Sequence, residues 1–227
     1  MGGETEERLR EQGLAFFGAI AAGFSHEINN VIATINELSG LLDDLARAAE
    51  GGRPIEPERL QAIAGKTADQ VRRGSDLIKR FNRFAHSADA PVATVRVNDL
   101  LENFVAVTAR FATLKGVELR TAPAAEPVTV ETDPFALEHA IYLVVSEYLA
   151  VATPGDRVTL AAEERDGGVA IRITGPGAGT EAPDGRDLLA DLVLRLNGVL
   201  ETTPTPTPGG RDVILVVPQG AIRSNGS

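Results

Sequence analysis

Apolar residues recur from Leu14 to Leu45 at steps that alternate between three and four: Leu14, Phe17, Ala21, Phe24, Ile28, Val31, Ile35, Leu38, Leu42 and Leu45. This is a heptad seam, narrower than the stripe of an ordinary surface helix, and it predicts one long helix. The helix must break at Ala49–Arg59 (AEGGRPIEPER), where a Gly-Gly pair and two prolines stand together. A second helix is predicted from about Leu60 to Ala85, with Leu60, Ile63, Thr67, Val71, Gly74, Ile78 and Phe81 near one face. Thr67 and Gly74 interrupt that stripe. Two helices cannot enclose so long a seam, so the pattern predicts a four-helix bundle made by two chains, a homodimer.

Beyond Ser87–Thr94 (SADAPVAT), a small, polar, Pro-containing break, the period changes. A helix Asn98–Lys115 capped by Asn98 precedes short strands Val117–Thr121 and Val128–Glu131. Asp133-Pro134 reads as an N-cap followed by proline at the first helical position, opening a helix to about Val151. Strands Arg157–Glu164 and Val169–Thr174 flank Asp166-Gly167-Gly168, a hairpin signal. A Gly-rich loop leads to a helix Asp187–Leu196 ending at Asn197-Gly198, then to strands Val199–Thr203 and Asp212–Val217 around the loop TPTPTPGG. The predicted fold class is α+β: a helical hairpin over residues 1–90, then one sheet with helices packed on it over residues 91–227.

Composition narrows the function. The 227 residues carry 22 Lys/Arg against 32 Asp/Glu, a net charge of −10, and only 4% are aromatic. An acidic, aromatic-poor surface argues against nucleic-acid and anionic-membrane binding. There is no Cys, which excludes disulfides, thiolate metal sites and a cysteine nucleophile. With three His besides, neither a metal nor a cofactor is expected. The run AFFGAIAAGF (15–24) is too short to span a bilayer and follows a net acidic stretch, so a soluble, cytoplasmic chain is expected.

The sharpest local feature is Phe24-Ser25-His26-Glu27-Ile28-Asn29-Asn30. With the seam at a and d, His26 falls at f, on the solvent side, Glu27 at g beside it and Asn30 one turn further at c. A lone surface histidine is usually only that. An imidazole offered to solvent beside a carboxylate, with an amide four residues on, is also arranged for chemistry on a docked partner.

The segment HEINN, followed by VIATINELSGLL and later by RRGSDLIKRFNRFAH, resembles the dimerisation and histidine-phosphotransfer domain of two-component histidine kinases over about residues 14–86. Val31 stands where these kinases often carry Pro. The resemblance implies that His26 is the phospho-accepting nucleophile and that Glu27 is its base and holds the other ring nitrogen. Asn30 would orient water for dephosphorylating a response regulator. The second helix carries Lys66, Arg72, Arg73, Lys79, Arg80 and Arg83 against Asp69 and Asp76, a basic stripe suited to steering an acidic receiver domain or simply a solvated face.

In this family an ATP-binding α/β sandwich follows the bundle. Here its two metal- and phosphate-binding asparagines align with Leu143 and Glu147, and its adenine-binding aspartate aligns with Gly175. GPGAG (175–179) lacks the Lys and Ser/Thr of a phosphate loop, and five residues between Gly179 and Gly185 leave no room for an ATP lid. His86 and His139 read as structural or surface residues. The expectation is a dimeric histidine phosphotransferase that shuttles phosphoryl groups between receiver aspartates through His26 without ATP. The alternatives are a noncatalytic response-regulator adaptor or phosphatase-like regulator, and an ATP-dependent kinase with an atypical nucleotide site.

Overall fold

The computed structural model describes residues 3–123, 126–165, 167–176, 183–205 and 211–220. The chain divides into two compact units, residues 21–82 and residues 1–20 together with 83–227. The first helix, α1 (Gly3–Glu50), contributes to both.

In the smaller unit, α1 runs antiparallel to α2 (Pro57–His86), joined through the predicted Gly-Gly and Pro break, where Gly52 adopts a positive φ of 82°. Leu38, Leu45 and Ile63 are buried together, with Leu41 and Ile55 packed against them. Phe24 stacks on Phe81 with ring centroids 4.3 Å apart. Gly74 explains its own place in the stripe. A Cβ there would lie 3.3 Å from Val31 Cγ1, so glycine lets α2 approach α1 closely at the level of the buried Val31. The hairpin uses only part of the predicted apolar stripes: Leu42, Leu60, Val71 and Ile78 remain exposed, Val71 at 53%, as does Ile32 outside the predicted seam. A two-helix hairpin buries one stripe per helix, and these residues lie beside it.

The larger unit is built on a five-stranded sheet. In chain order its elements are β1 (Ala93–Arg96), α3 (Val97–Leu114), β2 (Glu118–Thr121), β3 (Thr129–Thr132), α4 (Pro134–Val151), β4 (Arg157–Arg165), β5 (Gly168–Gly175), α5 (Pro183–Arg195), β6 (Val199–Pro204) and β7 (Arg211–Pro218). Strand order is β2-β4-β5-β7-β6, with β2 parallel to β4 and the other neighbours antiparallel; β1 and β3 form a separate antiparallel pair. Alternation along the strands gives the sheet one apolar face: Val158, Leu160, Val169, Ile171, Ile173, Val213, Leu215 and Val217 join the core supplied by α3, α4 and α5. The expected α+β class is the observed one.

Local chemistry accounts for most boundaries. Asp133 caps α4 by accepting from Ala136 N at 2.9 Å, with Pro134 opening the helix. Gly167, at a φ of 79°, turns β4 into β5. Asn197, at a φ of 49°, ends α5 in the left-handed region. Asn98 does not act as the expected cap. Arg96 holds the cap position of α3 without a side-chain bond, and Asn98 Oδ1 instead accepts from Val128 N at 2.8 Å. Its amide tethers the start of α3 to the approach to β3, and a residue inside the helix cannot also cap it.

The first five turns of α1 belong to this unit through Leu9, Gly13, Phe16 and Ile20, all buried. Leu14, the predicted start of the seam, is 65% exposed. The stripe that packs inward at this end is displaced by one residue, and there Phe16 meets Phe135, His139 and Tyr142 of α4 as well as Phe84 at the end of α2.

Candidate functional site

The candidate site lies in the hairpin. Close approach at Val31 and Gly74 brings the preceding turn of α1 near Arg73, the residue before Gly74. Arg73 Nη2 donates to Glu27 Oε2 at 2.6 Å, with the Glu27 side chain 24% exposed and Arg73 53% exposed. His26 stands one residue before Glu27 and is exposed, as is Asn30 one turn on. Ala33 and Glu37 continue the same exposed stripe. His26 and Asn30 therefore share an outer face, while the Glu27 carboxylate is held by an arginine from the opposite helix. This arrangement can offer an imidazole lone pair to a docked electrophile, with a carboxylate anchored alongside.

In the larger unit, the positions that bind nucleotide in the resembled family carry different chemistry. Leu143 packs against the hydrophobic core. Tyr148 is fully buried, its hydroxyl 2.5 Å from the Arg211 carbonyl and 3.1 Å from the Ile173 carbonyl. Burial pushes its phenol up to about 12, so it remains a neutral donor. A Cβ added at Gly175 would lie 2.6 Å from Tyr148 Cδ1. The ring thus occupies the space that an aspartate at position 175 would need. Only residues 176–182 connect β5 to α5. At those nucleotide-binding positions the chain carries Leu143, Glu147 and Gly175, and a tyrosine ring stands where a side chain at position 175 would project. Gly177–Gly179 of the GPGAG stretch lie outside the described residues.

A second cluster escaped the sequence reading. Phe16 of α1 stacks on His139 of α4 with centroids 4.8 Å apart and planes 1° from parallel, and meets Phe84 edge-on at 5.4 Å. Phe135 and Tyr142 complete the group. Burial pushes the His139 imidazole down to about 4, so it is neutral and serves as an aromatic surface. Beside it Glu138 is 2% exposed, and burial pushes its carboxyl up to about 8. One signal was legible: α4 has almost no polar face, the mark of a helix covered on all sides. His86 is exposed and lies 2.7 Å from Asp89.

No protein-family model matches the chain. Sensor histidine kinase ZraS of Escherichia coli (strain K12) is 26% identical over 178 residues, which is 78% of this chain and 36% of that protein. ZraS of Salmonella typhimurium is 26% identical over 179 residues, covering 77% and 36%. The chain is histidine kinase-like. The histidine kinase-like chain thus spans little more than a third of the length of these curated relatives. The catalytic domain of histidine kinase ThkA, in a nucleotide-free form, superposes with a TM-score of 0.51 at 12% identity, covering 57% of this chain and 97% of that domain. That likeness shows the fold of the sheet-containing part. Among the described residues no helix is long and apolar enough to cross a membrane.

Proposed function

We propose that the chain is a histidine phosphotransferase of a two-component phosphorelay, passing a phosphoryl group between receiver aspartates through His26 without ATP. The observation that carries the reading is a contrast between the two candidate centres. An exposed imidazole stands beside an arginine-held carboxylate, while a buried tyrosine ring fills the space beside Gly175.

In the proposed step, the lone pair of the solvent-facing ring nitrogen of neutral His26 attacks the phosphorus of an aspartyl phosphate. The P–N bond forms as the P–O bond breaks, and the aspartate leaves as a carboxylate. The other ring nitrogen keeps its proton, and the cationic ring that results is stabilised by Glu27 acting as hydrogen-bond acceptor and base. The reverse step loads the next receiver. Asn30, exposed one turn from His26, supports a second reading in which the chain orients water and dephosphorylates receivers.

The exposed Ile32, Leu42, Leu60, Val71 and Ile78 support a second copy of the chain as the surface that completes the bundle. The proposal accordingly takes the active form as a homodimer, with residues 1–90 as the phosphotransfer hairpin and residues 91–227 as a catalytic-domain relic. It places the chain in the cytoplasm, where receivers reside.

The test is a transfer assay in which receiver domains loaded with labelled acetyl phosphate are mixed with the intact chain. Acid-labile, base-stable label on the chain that disappears in His26→Ala is expected. Label persisting in His26→Ala overturns the site. Label released as inorganic phosphate, dependent on Asn30, favours the dephosphorylating reading.

A further inference from the structure

Glu27 poses an electrostatic problem that the hairpin itself addresses. An arriving phosphoryl group is dianionic, and a carboxylate one residue from the nucleophile repels it. The same carboxylate is useful only if it keeps to the side of the ring away from the phosphorus. Arg73 bears on both requirements. Its Nη2 donates to Glu27 Oε2 at 2.6 Å from the opposite helix. The pair is only partly exposed on the Glu27 side, where solvent screening is weaker than at an open surface. The bond is also pre-set by backbone packing: Gly74 seats α2 against Val31, so Arg73 reaches Glu27 across a short gap.

Resting on the phosphotransfer reading above, we propose that Arg73 is a positioning residue for transfer at His26. It clamps the Glu27 carboxylate toward α2, fixes which ring nitrogen of His26 meets that carboxylate, and offsets its charge against the incoming phosphoryl group. The role differs from that of a surface cation that steers a receiver. Steering acts before encounter and does not need Glu27. Positioning acts after docking and operates only through Glu27. It also differs from a tie between helices, which would show in stability rather than in turnover.

A double-mutant cycle on the full-length chain separates these roles. Single-turnover transfer from a saturating labelled receiver is measured for wild type, Arg73→Ala, Glu27→Ala and the double variant, with Arg73→Lys as the charge-retaining control and thermal melting to report folding. Loss of a single general base costs about a hundredfold or more. Arg73→Ala is expected to slow the chemical step about two- to fivefold in the wild-type background, the range for a partly exposed charge pair. It is expected to leave the half-saturating receiver concentration and the melting temperature within error. Arg73→Lys should restore part of the rate, since it keeps the charge but loses the planar fork. In the Glu27→Ala background, Arg73→Ala should have no further effect.

Equal slowing in both backgrounds, or a loss confined to the half-saturating concentration and abolished by salt, overturns the positioning role while leaving His26 as the acceptor. A fall in melting temperature that accounts for the rate loss also overturns it. Absence of label on the wild-type chain with every receiver tried overturns this role and the phosphotransfer reading together.

Discussion

Replacing Glu138 with glutamine is expected to remove a large part of the pH dependence of folding between about pH 5 and pH 8. Glu138 is buried on α4, and desolvation pushes its carboxyl from an ordinary 4.5 up to about 8, against the opposing pull of its bond with Ser87. The hydrogen bonding points the same way. Ser87 Oγ has one proton but two acceptors at 2.7 Å, the Phe84 carbonyl and Glu138 Oε2. A neutral Glu138 resolves the competition by donating to Ser87, which then donates to Phe84. An ionised one leaves two acceptors sharing a single proton.

The sign follows from proton counting. Between the unfolded and folded values the unfolded chain carries the negative charge and the folded chain holds the proton, so stability falls as pH rises. The slope is about 1.4 kcal/mol per pH unit. Across the whole window the loss reaches about 4–5 kcal/mol if the site stays dry, and about half that if water enters once the group ionises. Below the unfolded value and above the folded one the contribution is flat. His139 next door, pushed from an ordinary 6.5 down to about 4, adds a slope of the opposite sign below about pH 6.5, but that contribution is the same in both proteins. Urea unfolding followed by circular dichroism at about pH 5, 6, 7 and 8, for wild type and Glu138→Gln, isolates the effect, because every other titrating group is common to both proteins. The stability difference should move in favour of glutamine by at least about 2 kcal/mol from the lowest pH to the highest. Parallel pH profiles would show that the carboxyl is solvated in the folded chain and refute the reasoning.

Introducing an aspartate by Gly175→Asp should destabilise the larger unit by about 2–4 kcal/mol, from overpacking and a buried carboxylate, because its Cβ would stand 2.6 Å from Tyr148 Cδ1. Chemical denaturation checks this, and the double variant with Tyr148→Ala should lose less than the two single changes combined. Phe16→Ala removes a buried ring stacked on His139 and packed against Phe84, Phe135 and Tyr142, and should cost about 3–5 kcal/mol in the same measurement. A loss under about 1 kcal/mol would mean that the start of α1 does not pack on α4.

Much of the fold could be read directly. The heptad steps from Leu14 to Leu45, the Gly-Gly and Pro break, Asp133-Pro134 and the Gly167 turn each act through bonded neighbours or a helical period, so a linear pattern displays them. Asn98 was misread as a cap because its partner, Val128 N, is thirty residues away. The exposed position of His26 followed from its place opposite the seam, and the structure agrees. The ring that blocks Gly175 was not visible in the same way. An aspartate missing from a motif says that a contact is lost, and only the position of Tyr148 says that the space itself is filled.

The sequence by itself therefore determined the helical hairpin, the α+β class and the exposed stripe carrying His26 and Asn30, since these depend on periodicity and local backbone preference. Tertiary structure alone decided that Arg73 grips Glu27, that Phe16 stacks on His139 and that Glu138 is buried against Ser87. Each of these joins residues at least forty-six positions apart. Their energies come from burial and close approach, which exist only once separate elements have packed.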